Sequence, residues 1–291
     1  MNQPSQPGSA LTAADLSEYL ATADDFAFER EVYHVAHRLG FETEHAALYK
    51  DPVTGKPRQF DIRASFTSAD NKIALAIECK GLTPDYPLLV SCVPRAHSEA
   101  YHEVLESGER INYIADAYTK PTRFVRTTQV ASDQHPCIYP AGHGQGVGKS
   151  MRQVKRETRG DRRGQMVGGD DVFDKWTQAL ASLAEIIDDG AEELRRISQP
   201  PQSLHQIAFL PVLVVSDGAL WVADYSSEGA IQREPFQVAE LTYFLGRKYP
   251  LEPEGTSLTI THLHIITRCE VRSWLHGISQ GGGIWQELFP R

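Results

Sequence analysis

The chain has no long apolar run and few cysteines, and each shortage excludes a class of protein. Its 291 residues are 41% hydrophobic, but the most apolar stretch, Ile207 to Val215, is short and contains Pro211. A membrane-spanning helix needs about 20 apolar residues, so the sequence predicts no membrane contact. The composition is typical of a soluble chain that is long enough to bury a core.

The cysteine spacing and the composition of the first residues predict the cellular location of the protein. The four cysteines show no Cys-x-x-Cys spacing, which favours free thiols in a reducing cytoplasm over a disulfide framework. Residues 1–14 are rich in Gln, Pro, Ser and Ala, with no basic start and no apolar block. We therefore expect a disordered tail there, no signal peptide and a cytoplasmic protein.

The chain also lacks an excess of positive charge, since its net charge is -9. A protein that binds DNA through its whole surface would be basic, so a nucleic-acid contact must be local or made by a partner subunit, which includes a second copy of this chain. One dense basic run exists, and it consists of Lys149, Arg152, Lys155, Arg156, Arg159, Arg162 and Arg163. It fits a solvated flexible loop and an arm that follows a phosphate backbone equally well.

Two predicted strands between Arg58 and Gly81 carry the most informative pattern. In the second strand, alternation sends Glu78 and Lys80 to one face and the branched residues to the other. In the first strand, Asp61 lies opposite the apolar row of Phe60, Ile62, Ala64 and Phe66. If a turn at Ser68 to Asn71 pairs the strands, then Asp61, Glu78 and Lys80 meet at one end of a sheet.

Two neighbouring carboxylates repel each other unless a proton, a lysine or a metal compensates them. Carboxylate oxygens on rigid strands suit Mg²⁺, and a nearby lysine can orient or activate water and stabilise developing charge. Ala74 and Ala76 are small at positions where a substrate or another backbone would approach. The pattern favours metal-assisted phosphodiester hydrolysis, and the alternative is a hairpin with ordinary surface charges.

Asp61, sixteen intervening residues and then Glu78-Cys79-Lys80 resemble the PD-(D/E)XK nuclease superfamily, which has the restriction-endonuclease-like fold. The preceding segments, Phe28 to Val32, Leu39-Gly40-Phe41 and Asp51 to Lys56, are similar to the opening of resolvase-like and Mrr-like members. Phe60 stands where the nominal motif has proline.

The resemblance implies a site and an activity. Asp61, Glu78 and the backbone carbonyl of Cys79 would bind Mg²⁺, for which Mn²⁺ would substitute, and Lys80 would orient or activate water. Helical periodicity does not choose between Glu29 and Glu31 as a further metal or water ligand, and the resemblance favours Glu29. DNA is the expected substrate and RNA the alternative, in restriction, repair or antiviral defence. Lys149, Arg152, Lys155, Arg156 and Arg159 would contact the nucleic acid.

The predicted fold is α/β, with a mixed central sheet flanked by helices and a restriction-endonuclease-like core. Residues 15–291 form one domain, in which 82–170 is a large insertion after the Glu-x-Lys strand and the core resumes at 171–291. The further predicted elements are helices at 25–39, 97–106, 171–187 (extending in broken form to 197), 234–249 and 268–277, strands at 88–93, 123–130 and 258–267, and a hairpin of 204–215 with 219–225.

Two weaker motifs do not support a function. Residues 142–150 are similar to a phosphate-binding loop, but His143 replaces a required glycine and no strand is predicted before it. His135, Cys137 and His143 have no fourth ligand at zinc-finger spacing. The alternative to an enzyme is a catalytically silent nuclease-fold module that binds nucleic acid or a protein partner.

Overall fold

The computed structural model describes residues 10–22, 25–110, 113–114, 117–118, 122–133, 138–157, 166–169, 171–196, 205–252 and 255–289. The helices of this part are α1 (Ala13–Thr22), α2 (Phe26–Arg38), α3 (Asp171–Arg196), α4 (Val271–Ser279) and α5 (Ile284–Leu288). The strands are β1 (Glu42–His45), β2 (Leu48–Lys50), β3 (Pro57–Gln59), β4 (Ile62–Ser68), β5 (Asn71–Lys80), β6 (Leu88–Arg95), β7 (Tyr101–Arg110), β8 (Tyr113–Ile114), β9 (Ala117–Tyr118), β10 (Thr122–Ala131), β11 (Gly142–Arg156), β12 (Met166–Gly169), β13 (Gln206–Val215), β14 (Leu220–Asp224), β15 (Phe236–Gln237), β16 (Glu240–Leu251) and β17 (Thr256–Thr267).

The fold is α/β, with a large mixed sheet flanked by helices, as predicted. The main sheet has 13 strands, and its path runs β1-β4-β5-β13-β17-β16-β11-β6-β14-β15. Strands β7, β10 and β12 join it beside this path. Among the described helices, none is long and apolar enough to cross a membrane.

The two predicted strands that carry the acidic residues pair as expected. Strands β4 and β5 are antiparallel, with Ser68 opposite Asn71 at the turn and Ile62 opposite Ile77 at the other end. Strand β5 also pairs in parallel with β13, which is buried along almost its whole length. Helices lie on both faces of these strands, which explains the nearly continuous apolar sequence of β13.

The two faces of β5 contact different helices. Ile73, Leu75 and Ile77 belong to a core cluster that includes residues of α2, α4 and α5. Ala74 and Ala76 belong to a second cluster with α3, and their small side chains therefore face a helix. Alternation along β5 places Glu78 on this α3 face.

Two predicted helices are wrong, because the segments pair as strands. Residues 97–106 form a short 3₁₀ turn and then β7, which pairs with β10 over ten residues. Residues 240–249 of the helix predicted at 234–249 belong to β16, which contains a bulge between Phe244 and Arg247. Gly246 lies in this bulge with φ 60°, a conformation that a helix does not allow. In both cases strand pairing overrides the local pattern.

The predicted hairpin is also wrong, and the residues that are similar to a phosphate-binding loop form a strand. Strand β13 pairs with β5, β7 and β17, whereas β14 pairs with β6 and β15, so the turn at Ser216 to Gly218 separates two strands that do not pair. Residues 142–156 form β11 of the main sheet. A Cβ at Gly148 would lie 2.8 Å from Val90 and 2.9 Å from Tyr243, so this glycine permits close strand packing.

The remaining predictions fare better. Helices α2, α3 and α4 and strands β6, β10 and β17 match predicted elements, and α3 is continuous to Arg196. Strands β6, β7, β10 and β11 of the predicted insertion 82–170 are part of the main sheet. Arg159, Arg162, Arg163, His135 and Cys137 lie outside the described residues, as do residues 1–9 of the predicted tail.

Candidate active site

Asp61 and Glu78 meet at the end of the β4–β5 pair. Asp61 lies immediately before β4, and its backbone amide donates a hydrogen bond to Oε1 of Glu78 over 3.3 Å. Oδ2 of Asp61 accepts a hydrogen bond from the amide of Cys79 over 2.8 Å. The extended register of the two strands therefore fixes both carboxylates.

Helix α2 brings a third carboxylate to this point. Glu29 lies near enough to Asp61 for the two negative charges to repel each other, and Oε2 of Glu29 lies 3.4 Å from Nε2 of His45. The other candidate of this helix, Glu31, forms an ion pair with Arg268. Of the two glutamates between which the periodicity does not choose, Glu29 is thus the one in the carboxylate cluster.

The amine at the centre of the cluster is Lys175 of α3. Its Nζ lies 3.0 Å from Oδ1 and 2.9 Å from Oδ2 of Asp61. It also lies 3.8 Å from Glu78 and 3.9 Å from Glu29. We call Glu29, Asp61, Glu78 and Lys175 the carboxylate site.

Lys80, the amine predicted for the site, binds a different acid. Its Nζ contacts Oδ2 of Asp25 at 2.9 Å, and Oδ1 of Asp25 accepts a hydrogen bond from the amide of Gly81. Asp25 immediately precedes α2, so this contact fastens the start of the helix to the end of β5. The predicted role of Lys80 in activating water stays a prediction.

Sequence reasoning missed Lys175, although a signal for it exists. Lys175 lies three residues after Val172 and four before Ala179, both of which are buried. It therefore occupies the apolar face of a helix whose stripe continues through Leu183. A lysine at such a position needs an acidic partner or a route to solvent, and Asp61 provides the partner.

Burial and mutual repulsion shift the acid equilibria of the site. Burial, with the charge of Asp61, raises the pKa of Glu29 to about 7. Glu78 is 1% exposed, and burial with the Asp61 charge raises its pKa well above the usual range. Burial opposes the charged form of Lys175, but Asp61 and Glu78 outweigh it and raise its pKa above the ordinary value. The ammonium ion therefore persists at neutral pH.

The chemistry of the site suits a cation. The site holds three carboxyl groups and one ammonium ion, and Oε2 of Glu78 is buried without a hydrogen-bond partner. Carboxylate oxygens are the ligands that Mg²⁺ prefers. Among the described residues, however, no group of three or more His, Cys, Asp or Glu is arranged to hold a metal ion. The cation that the carboxylates contact in this structure is the ammonium ion of Lys175.

The predicted nucleic-acid contacts lie elsewhere on the sheet. Strand β11 is four positions from β5 along the sheet path, about 19 Å at the usual strand spacing. Arg152, Lys155 and Arg156 of this strand are exposed. Lys149 instead pairs with Glu99 and lies over the ring of Phe244.

Comparisons of the chain with protein-family models, with curated proteins and with solved structures found no match.

Proposed function

We propose that the chain is a metal-dependent nuclease that hydrolyses phosphodiester bonds, with DNA as its expected substrate and RNA as the alternative. The observation that carries the proposal is the convergence of Glu29, Asp61 and Glu78 around Lys175. The acids come from a helix and two adjacent strands, and the lysine comes from a helix almost one hundred residues beyond Glu78. Perturbed acids gathered with a lysine in this way are typical of catalytic sites.

The arrangement of elements supports a restriction-endonuclease-like core in this proposal. Strands β4 and β5 form the antiparallel pair that carries the acids, and β13 and β17 extend it in parallel. Helices α2 and α3 contact opposite faces of β5. We propose restriction, repair or antiviral defence as the process that the enzyme serves. We propose the reducing cytoplasm as its location, which suits the free and buried Cys79 and Cys92.

Asp61 and Glu78, with the backbone carbonyl of Cys79, would hold Mg²⁺ or Mn²⁺. Such an ion, when bound, neutralises the substrate phosphate and lowers the pKa of its water ligand. Lys175 places a positive charge where negative charge develops on the phosphate oxygens. With a pKa near 7, Glu29 can accept a proton from the attacking water at neutral pH.

One observation favours the second candidate, a catalytically silent module that binds nucleic acid or a protein partner. Lys175 contacts both oxygens of Asp61, and Lys80 is held by Asp25. These ion pairs compensate much of the charge of the site without a metal. In the silent module, the same groups serve only to fasten α2 and α3 to the sheet.

A cleavage assay on the full chain separates the two candidates. Wild type and Glu78→Gln are incubated with supercoiled plasmid, linear duplex, single-stranded DNA and RNA in Mg²⁺, Mn²⁺ or EDTA. The matched control is Glu193→Gln, which removes an exposed carboxylate that pairs with Lys72 outside the site. We expect wild type and the control to cleave a substrate only with a divalent ion, and Glu78→Gln to be inactive.

The nuclease proposal fails if wild type leaves every substrate intact or if Glu78→Gln cleaves as fast as wild type. Wild type that binds DNA in a mobility-shift assay but cleaves no substrate would support the silent module.

A further inference from the structure

A large cavity lies apart from the carboxylate site and shares no lining residue with it. Its volume is about 940 Å³, near the upper end of the range for small-molecule sites. Strands β6, β14, β16 and β17 and helices α4 and α5 line it. Its lining residues include Arg95, Glu240, Thr242, His264, Trp274 and Glu287.

Arg95 is a buried cation in the wall of this cavity. It is 5% exposed, and its recorded hydrogen bonds go to two neutral groups, the carbonyl of Pro140 at 2.9 Å and the hydroxyl of Thr242. Its Nε is buried and has no hydrogen-bond partner. The guanidinium also lies 5.5 Å from the centre of the Tyr139 ring.

No carboxylate pairs with Arg95 in the part of the chain that the structure describes. Glu99 acts on it at longer range, but Glu99 is already paired with Lys149. A buried charge without a counterion is costly, and a guanidinium binds phosphate or carboxylate in a bidentate manner. The cavity therefore offers an anion a charged partner that is already desolvated.

The histidines beside Arg95 add no positive charge. The hydroxyl of Tyr139 lies 2.9 Å from Nε2 of His264 and 3.3 Å from Nδ1 of His102. Burial lowers the pKa of both histidines to about 3, so both rings are neutral at physiological pH. The groups that contact Arg95 directly are therefore neutral.

The other lining residues indicate which further groups a ligand of this cavity would carry. Trp274 and His264 line the cavity with ring centres 5.6 Å apart, and flat rings of this kind favour a planar group. Glu240 also lines the cavity, two residues before Thr242 on β16, and Glu287 faces the same space. The carboxylate of Glu240 can accept hydrogen bonds from hydroxyl or amino groups of a ligand, whereas the negative charge of Glu287 opposes an anion in the cavity.

We propose that this cavity binds a small anionic molecule with a planar ring, whose phosphate or carboxylate group contacts the guanidinium of Arg95. The proposal does not depend on the nuclease activity, since the cavity and the carboxylate site share no residue.

Calorimetric titration of the full chain tests the proposal with two anions and their neutral counterparts. The probes are adenosine monophosphate with adenosine, and indole-3-acetate with indole-3-acetamide. We expect at least one anion to bind at least about tenfold more tightly than its counterpart, because hydrogen bonds to a buried charge contribute this much. A preference for the nucleotide assigns a phosphate ligand, and a preference for the indole acid assigns a carboxylate.

Variants then connect the preference to Arg95. We expect Arg95→Gln to abolish it and Arg247→Gln to keep it, since Arg247 lies over Tyr249 outside the cavity. Glu287→Gln provides a second test if Arg95→Gln does not fold. Its loss of negative charge should tighten binding of the preferred anion severalfold at mildly alkaline pH. The proposal is overturned if neither anion is preferred, if folded Arg95→Gln keeps the preference, or if Glu287→Gln leaves anion binding unchanged or weaker.

Discussion

The ammonium group of Lys175 contacts both carboxylate oxygens of Asp61, at 3.0 and 2.9 Å. This contact joins the first turns of α3 to the start of β4. Asp61 holds the amide of Cys79 on β5 as well, so one carboxylate connects a helix and two strands. The predictions below follow from this contact and from the groups around it.

Loss of either partner should destabilise the protein when no divalent ion is present. Lys175→Met leaves acidic groups uncompensated in a buried site, and we expect it to lower the free energy of unfolding by about 3 kcal/mol. Asp61→Asn should also be destabilising, because it leaves Lys175 without its closest acid. The double variant should lose less unfolding free energy than the two single variants lose together, and the shortfall should be about 1–3 kcal/mol.

Urea unfolding at neutral pH with a chelator measures this cycle. Lys72→Met is the matched control, since Lys72 lies on the same face of β5 and pairs with the more exposed Glu193. It should cost no more than about 1 kcal/mol. Strictly additive effects of Lys175→Met and Asp61→Asn would contradict the direct coupling.

The raised pKa of Glu29 predicts a pH dependence of stability. Its pKa rises from the ordinary 4.5 to about 7 on folding, so between these values the folded state binds more protons than the unfolded state. The contribution of Glu29 to stability is therefore fully present below pH 4.5 and is lost as pH rises to about 7. Glu29→Gln removes this contribution, which is at most about 3 kcal/mol.

Unfolding curves of wild type and Glu29→Gln across this pH window test the prediction. As pH rises, the unfolding free energy of wild type should fall relative to that of Glu29→Gln. This relative change should stop above about pH 7. Glu78 remains in both proteins, so its own titration largely cancels. A difference that is independent of pH would show that Glu29 titrates normally.

The close packing of α3 on the sheet depends on Gly190. A methyl group at Gly190 would lie 2.8 Å from Cζ of Phe209, on the central strand β13. Gly190→Ala should therefore destabilise the protein by about 1–3 kcal/mol, despite the better helix propensity of alanine. Gly277→Ala in α4 is the control, because no atom lies within 4 Å of its added methyl group. It should stabilise the protein by up to about 1 kcal/mol in thermal unfolding.

If both variants raise the melting temperature, the close approach of α3 to β13 is not as described.

We expect the exposed basic side chains of β11 to determine how strongly salt weakens DNA binding. Replacement of Arg152, Lys155 and Arg156 by glutamine should weaken binding and make the plot of log affinity against log salt shallower by about 3. Fluorescence anisotropy at several salt concentrations measures this slope. Arg272→Gln, which removes an exposed charge on α4, should leave the slope unchanged. An unaltered slope in the triple variant would exclude this strand from the DNA contact.

The sequence predicts the local part of the site and misses the distant part. Asp61 and Glu78 follow from strand alternation across a short turn, since a two-residue turn fixes the register of a hairpin. Lys175 is separated from Asp61 by 114 residues, and only the packing of α3 on Ala74 and Ala76 brings the two together. The Glu-x-Lys pattern predicts Lys80 as the amine of the site. Its partner, Asp25, immediately precedes α2, and helical periodicity does not predict where this end of the helix lies relative to β5.

The fold shows the same division. Segments with clear patterns, such as α2, β5 and the apolar β13, were predicted correctly. The β7 and β16 segments contain glutamates and leucines at helix-like spacing, but the backbone groups of β7 pair with β10 and those of β16 pair with β17. The glycines of residues 142–156 obscure the strand alternation in the sequence, whereas Gly148 is required by close packing with Val90 and Tyr243. The pairing of these segments with other strands, rather than the pattern within each segment, decides their secondary structure.

The most direct test of the account compares three lysines in the metal-dependent cleavage assay. Lys175→Ala should lower the cleavage rate by about 10²–10³, because it removes a positive charge next to the reacting phosphate. Lys80→Ala should have a smaller effect, since Lys80 is held by Asp25, and Lys72→Ala should cleave at the wild-type rate. Circular dichroism confirms that each variant is folded at the assay temperature. Cleavage by folded Lys175→Ala at the wild-type rate would contradict the assignment of the carboxylate site as the catalytic centre.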